Sequence, residues 1–468
     1  MKKILQFMFI LSVTLVNGSA QAQKRSAWEE LAHGIFKELI EINTTHTHGN
    51  TTPAAEAMAK RLLAAGFTQK DVIVAGPAEK NQNLVVRMHG KGNGKPVLFL
   101  AHLDVVEALR KDWSFDPFKL TEQDGYFYGR GTMDIKDGAS ILVADFIRLK
   151  SENFVPDRDI ILALTAGEEA SADYNGVYWL LENRRALIDA EYCINMDAGD
   201  PQMKDGKRIS RTVQASEKAV ISFSLEVKNP GGHSSLPSRD NAIYRLADGL
   251  ARLEVFDFPA QINEVTKSFF ARMSAQESGQ PGADMKVVSD NPFDTSAISR
   301  LSTSPYYNAL MRTTCVATML EGGHATNALP QTAKAIVNCR VLPGTTQSEV
   351  QNTLVHVLSD QKIAVTALNT LRDNPASPLQ PEIMQKIEKV TENTWPGVMV
   401  LPVMEVGATD GIYLRGKGIP TYGVSGVFID EDDVRAHGKD ERIGVKDFYD
   451  GLEYEYRLIK SIGTNNVK

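Results

Sequence analysis

Three cysteines in 468 residues are too few and too scattered for a disulfide framework. Cys193 lies inside an apolar run and reads as a buried thiol, whereas Cys315 and Cys339 fall on two neighbouring expected strands. There, either a bond formed in an oxidising compartment or two buried free thiols satisfies the pattern. A basic block is also missing: 51 Lys and Arg stand against 58 Asp and Glu, a net charge of -7, which argues against nucleic acid as a partner. No internal repeat or low-complexity tract occurs, and no apolar run reaches the roughly 20 residues of a membrane-crossing helix. What remains has the composition of a globular protein, 43% hydrophobic and 23% charged, in a chain too long for one compact core. Two domains are therefore expected.

The first residues differ from the rest. Lys2 and Lys3 precede an apolar run from Ile4 to Val16, and Ser19-Ala20-Gln21-Ala22 offers a small-x-small cleavage site. This is the pattern of a secretory signal peptide over residues 1–22, with a periplasmic or secreted mature chain and no stable membrane insertion after cleavage. No cysteine next to the site would carry a lipid.

Along the mature chain, helical spacing of Leu31, Ile35, Leu39 and Ile42 is followed by a second helix that Gly66 stops, and then by strands at 72–74, 83–88 and 97–101. A helix over 139–149, a strand over 159–166, a helix over 176–187 and a strand over 192–196 continue the alternation. The pattern predicts an α/β fold, a mostly parallel sheet covered by helices. After Ser216 six elements run strand, helix, strand, strand, helix, strand, a β-α-β-β-α-β unit expected to form an inserted lid domain. The expected boundaries are 23–216 for the first part of the catalytic domain, 217–369 for the lid and 370–468 for the second part. Residues 256–310, polar and turn-rich, read as an insertion within the lid.

Chemistry concentrates at strand ends. The glycine-flanked loop Tyr128 to Gly138 presents Asp134; apolar runs end in His102-Leu103-Asp104, in Gly167-Glu168-Glu169 and in Asp197. Ligands on parallel sheets collect at the carboxyl ends of strands, where these residues fall. With His437 they make two imidazoles and three carboxylates, His102, Asp134, Glu169, Asp197 and His437, enough for one bridging acid and two further ligands on each of two divalent metals. Zinc suits such nitrogen and carboxylate donors, and cobalt or manganese also fit. Asp104, on the same side of an extended chain as His102, is placed to accept the imidazole's other N–H. Glu168 is the remaining acid, able to take a proton from water and pass it to a leaving nitrogen. One such residue is ordinarily a turn or a solvated side chain; all of them at strand ends point to a site.

The pieces AHLDVV, YGRGTMDIKDG, TAGEEA, NMDAG, GGHSSLP and AHGKDER, in this order across nearly the whole mature chain, resemble the di-zinc exopeptidase and aminoacylase family. The resemblance implies that Asp134 bridges the metals, that His102 and Asp197 hold one and Glu169 and His437 the other, and that Glu168 is the general base with Asp104 as the partner of His102. It also implies that His233 polarises the scissile carbonyl, in many dimeric members from the neighbouring subunit, and that the lid forms a homodimer contact. Asn327 and Arg340 match positions that contact substrate, often its carboxylate, and Gly407 lies in a turn matching a substrate loop. Ile135 and Asp440 depart from the family's usual residues. The implied activity is cleavage of amide bonds in small peptides next to a free carboxylate. N-acyl amino acid deacylation is the alternative, and a metal-binding protein without catalysis is the alternative of another class.

Overall fold

The computed structural model describes residues 24–170 and 172–464, so the leader read at residues 1–22 lies outside the described residues. Strands Val97–His102, Ile160–Thr165 and Tyr192–Asn195 are buried at every position, as parallel strands covered on both faces must be. They lie side by side in register, Val97 opposite both Ile160 and Tyr192, and His102 opposite Thr165. These are central strands of a ten-stranded sheet. Val72–Ala78 and Asn81–Met88 extend it antiparallel on one side. On the other, Thr421–Gly423 continues the parallel set and Lys207–Glu217 joins antiparallel.

Helices cover both faces. Ala27–Glu41, opened by a Ser26/Glu29 capping box, packs with Lys136–Ser151 and Val445–Gly463 on one side, where Phe36 stacks on Phe448 with ring centroids 4.8 Å apart. Gly176–Asn183 and Gly411–Gly416 cover the other, with Val177, Leu180 and Leu414 buried against the sheet.

The second sheet has four antiparallel strands in the order Thr314–Gly322, Thr332–Val341, Ala219–Lys228, Ile363–Ala367. Helices Ala242–Glu254 and Gln347–Leu358 complete the β-α-β-β-α-β unit and contribute Leu246, Val350 and Leu354 to a separate core. A disulfide joins Cys315 to Cys339 across the first two strands, while Cys193 is a buried free thiol.

The stretch expected as a turn-rich insertion in the lid is helical: Glu264–Met273, Gly279–Asp290, Thr295–Leu301 and Pro305–Met311. Its polar residues are in part helix caps, for Asn263, Asp294 and Ser304 each accept a backbone N–H at a helix start. Val265, Phe269, Phe270 and Met285 belong to the core of the large sheet and not to that of the small one. Residues 217–369 are thus one run of chain and two bodies in space. The chain crosses between the bodies four times, and the crossings are tied in pairs. Leu368 N donates to Ser222 O (2.8 Å) and Asn374 Nδ2 to Glu217 O (2.8 Å); Gln261 N donates to Met311 O (2.8 Å) and Arg312 Nη1 to Phe258 O (2.9 Å).

Candidate metal centre

The register of the three central strands brings their carboxyl ends to one edge of the sheet, and His102, the Gly167-Glu168-Glu169 turn and Asp197 emerge there together. Gly167 turns with φ of +75°, and a β-carbon on it would stand 2.2 Å from the Tyr174 carbonyl oxygen, so only glycine serves. Asp134 comes from the loop before helix Lys136–Ser151. Gly131, at φ +86°, allows that loop to close within 2.8 Å of a Val105 methyl where a β-carbon would lie.

Asp134 stands between the two imidazoles. Its Oδ1 is 3.1 Å from His102 Nε2 and its Oδ2 is 3.0 Å from His437 Nε2. His102 Nε2 is also 3.6 Å from Asp197 Oδ1, and His437 Nε2 is 2.8 Å from Glu169 Oε1. Donor atoms of His102, Glu168 and Asp197 lie within 4.8 Å of one another, as do those of Asp134, Glu169 and His437. Two neighbouring triads of this span suit cations at roughly 2.0–2.2 Å from each donor.

The electrostatics of the bare residues describe a shortage of positive charge. Burial, reinforced by Asp197, pushes the Glu168 carboxyl well above the carboxylate range, and burial with Asp134 also raises Glu169. Asp197 is raised to about 7, again first by burial. His437 is lifted to about 9, chiefly by its hydrogen bond with Asp134. Burial works against a charged His102, yet Asp197 and Asp134 overcome it and raise that imidazole too. Only Asp134 is depressed: burial opposes this, but bonds from both histidines prevail. Four carboxylates facing two imidazoles are a donor set that divalent cations would complete.

Asp104 corrects the reading from sequence. His102 Nδ1 lies 2.9 Å from the backbone carbonyl of Asp104, while the Asp104 carboxylate is 3.9 Å away. That carboxylate instead accepts the backbone N–H groups of Glu168 (3.2 Å) and Glu169 (3.0 Å), fixing the turn that carries both. Alternation along the strand put Asp104 on the correct side without distinguishing its side chain from its main chain.

Glu441, part of the AHGKDER piece, has no role in the reading from sequence. Fully buried, it accepts Met133 N (2.7 Å) and Asp134 N (3.2 Å) on one oxygen and pairs with Arg130 through the other (2.5 Å). It therefore holds the loop that presents Asp134. The residues it holds are some 300 positions distant, so the local pattern around it could not reveal its task. The buried Asp410, bonded to Thr165 Oγ1 (3.0 Å) and Asn175 Nδ2 (2.5 Å), supports the ends of the central strands in the same way.

The remaining expected residues are not in the cluster. His233 is exposed on the lid, Nδ1 against Ser235 Oγ at 2.6 Å, and pairs across a short bridge with Ala328, next to exposed Asn327. Arg340 lies on a lid strand between Thr314 and Val220. Gly407 is exposed at the start of a loop whose Ala408 and Thr409 share a cleft with Glu168 and Glu169.

The human N-fatty-acyl-amino acid synthase/hydrolase PM20D1 is 27% identical over 459 residues, 95% of this chain and 89% of that protein. A probable carboxypeptidase S-like protein 2 of Dictyostelium discoideum is 28% identical over 81% of this chain and 74% of its own length. Among solved structures, an M20 family metallo-carboxypeptidase from Sulfolobus solfataricus superposes with a TM-score of 0.68 at 15% identity, covering 92% of this chain and 99% of that one. The Bacillus subtilis YXEP protein, a dinuclear metal binding peptidase of the M20 family, superposes with a TM-score of 0.56 at 12% identity, covering 93% of this chain and 98% of that one. The model of peptidase family M20/M25/M40 matches residues 98–461, and the chain belongs to that family.

Proposed function

We propose that this chain is an exported, zinc-dependent hydrolase that cleaves small peptides at the amide bond next to a free carboxylate. The observation that carries the reading is Asp134 held between His102 and His437, with Glu168 beside them. His102, Asp134 and Asp197 would hold one cation, and Asp134, Glu169 and His437 the second. When bound, the two cations polarise the amide carbonyl and acidify water. Glu168 does the proton work: burial holds its carboxyl high, so it accepts the proton of an attacking water and passes it to the leaving nitrogen. Asp104 keeps Glu168 and Glu169 in place through their backbone N–H groups. The His102 Nδ1 proton goes to the Asp104 carbonyl, which leaves Nε2 facing the cluster.

His233 and Asn327 complete the site from a second copy in this reading. Strand Thr314–Gly322 is a sheet edge with Val316, Met319 and Leu320 more than half exposed, a surface suited to a homodimer. Mixing His233→Ala with Glu168→Ala protein tests this, because shared sites would regain activity that neither variant has. Export is supported by the basic and apolar leader and by the Cys315–Cys339 bond. Amino-terminal sequencing of periplasmic or secreted protein should find the chain cut after Ala22.

The similarity to PM20D1 favours a second reading, hydrolysis of N-acyl amino acids. Zinc-loaded protein offered dipeptides and N-acetyl amino acids with the same carboxyl-terminal residue separates the two. Dipeptides are expected to be cleaved faster; faster release from acetylated substrates would transfer the chain to the deacylases. No turnover of either with two metals bound would leave a binding protein.

A further inference from the structure

Glu217 is the last residue of strand Lys207–Glu217, at the point where the chain leaves the body for the lid. Its side chain is fully buried and collects donors from three places in the chain. Oε2 accepts Thr409 N (3.0 Å), Thr409 Oγ1 (2.9 Å) and Gln214 Nε2 (2.9 Å), while Oε1 stands 2.5 Å from Arg415 Nη2, an ion pair without hydrogen-bond alignment. The return crossing closes on the same residue: Asn374 Nδ2 donates to Glu217 O (2.8 Å), and Asn374 Oδ1 accepts Arg415 Nε (3.2 Å). Lys218, the next residue, donates its backbone N–H to Glu405 O (3.0 Å). Adjacent residues at the root of the lid therefore pin both ends of the loop between strand Met399–Glu405 and helix Gly411–Gly416. Glu405 is held by Lys218, and Thr409 by Glu217. Between the pins Gly407 and Ala408 are exposed, and a β-carbon on Gly407 would meet nothing within 4 Å, so the loop takes its position from its ends. Ala408 and Thr409 line the cleft of about 330 Å³ that holds Glu168 and Glu169.

We propose that Glu217 is a positioning residue for the hydrolytic site, joining the 406–409 wall of the Glu168 cleft to the root of the lid. The inference rests on the amide-hydrolase reading for what the cleft receives. Stability alone gives no reason for the choice of residue. A buried ion pair gains little over a well-packed apolar pair of the same volume, because both charges must be stripped of water. An ionised carboxylate is instead the side chain that accepts several N–H and O–H donors at once. Here those donors come from the strand before the crossing, from the loop and from the helix after it, so one group fixes all three relative to each other. A displacement of the lid root is thereby passed to the cleft wall, and substrate meets that wall in the position the lid sets.

The test compares Glu217→Gln, Thr409→Val, Thr409→Ser and Asn374→Ala. Asn374 is bonded to Glu217 and Arg415 and does not line the cleft, so its loss reaches the loop through them. Hydrogen exchange of metal-loaded protein, read by mass spectrometry, should be faster over residues 405–411 in Glu217→Gln, Thr409→Val and Asn374→Ala. Thr409→Ser should stay near wild type, and helix Gly279–Asp290 should be unchanged in all four. On Ala-Leu the first three should raise KM about threefold to thirtyfold with kcat within about threefold, the range for a lost buried hydrogen bond. Thr409→Ser should keep both constants. If wild type leaves Ala-Leu and N-acetyl-leucine intact, the hydrolase reading fails, while the exchange comparison still judges the joint. Unaltered exchange over 405–411 in Asn374→Ala, or faster exchange spread equally to helix Gly279–Asp290, would overturn the proposal. A loosened loop with a wild-type KM would do the same. Were Glu217→Gln not to fold, Thr409→Val and Asn374→Ala decide by the same measures.

Discussion

Glu168 and Asp134 each lie near His102, and the mechanism proposed gives them different tasks that substitution should separate. Glu168→Ala removes the group proposed to move the proton but leaves both imidazoles and three carboxylates. Turnover is expected to fall by about two to four orders of magnitude with two metals still bound. Asp134→Ala removes the acid that stands between the two imidazoles, so metal content and rate should fall together; elemental analysis beside initial rates tells the two apart. Near-normal turnover by Glu168→Ala would falsify the proton-transfer role given to it. Glu441→Gln makes a finer point. The amide oxygen could still accept both backbone N–H groups, but an NH2 would face Arg130 where the charged oxygen stood, so the loop carrying Asp134 should loosen. We expect weaker metal retention in a chelator competition, with little change in secondary structure. At this scale the sequence was informative where a residue ends an apolar strand, as His102 and Asp197 do. It was uninformative where a residue works through the chain of a distant neighbour, as Asp104 and Glu441 do.

Elements were readable in proportion to how regular their burial is. The central strands are apolar throughout, and the lid strand Thr332–Val341 alternates, so both announced themselves. Strand Lys207–Glu217 did not: it buries the polar residues Arg211, Thr212, Gln214, Ser216 and Glu217, some of them tied to distant parts of the chain. Arg211, for example, bonds to the Tyr454 hydroxyl and Glu217 to Thr409. Strand Met399–Glu405 was hidden by Pro402, which argues against a strand inside a sheet. It pairs on one side only, with Lys207–Glu217, and so tolerates a residue lacking an N–H. The Cys315–Cys339 bond closes a separation of 24 residues and ties an edge strand to its neighbour. By the loop-entropy relation Cys315→Ser should cost about 3.5 kcal/mol. A denaturant titration should show the same shift when wild type is reduced, and none when the variant is.

For the whole molecule the informative groups are buried acids away from the cleft. Asp145 and Glu455 lie on the packed helices Lys136–Ser151 and Val445–Gly463, fully buried, their carboxyl oxygens without hydrogen-bond partners among the described residues. Burial lifts Glu455 from 4.5 to about 8, against the pull of Arg211, and lifts Asp145 as well. A carboxyl raised in the folded state keeps its proton there while the unfolded chain has lost it. The unfolded state then binds fewer protons, and stability falls as pH rises. Thermal midpoints should therefore decline between about pH 5 and pH 8, and Glu455→Gln should flatten that slope. A parallel decline in wild type and variant would remove Glu455 from the account.

The four paired crossings bear on how this chain could be recombined. A stretch contiguous in the gene is not a transplantable module here. Exchanging residues 217–369 for a relative's lid would also strip Val265, Phe269 and Phe270 from the body, leaving a hole in the core of the large sheet. A graft in two pieces, 218–258 with 313–371, keeps those side chains and moves only the cap. The one-piece chimera should melt well below the two-piece one, which makes the fold's real seam a property of packing and not of sequence order.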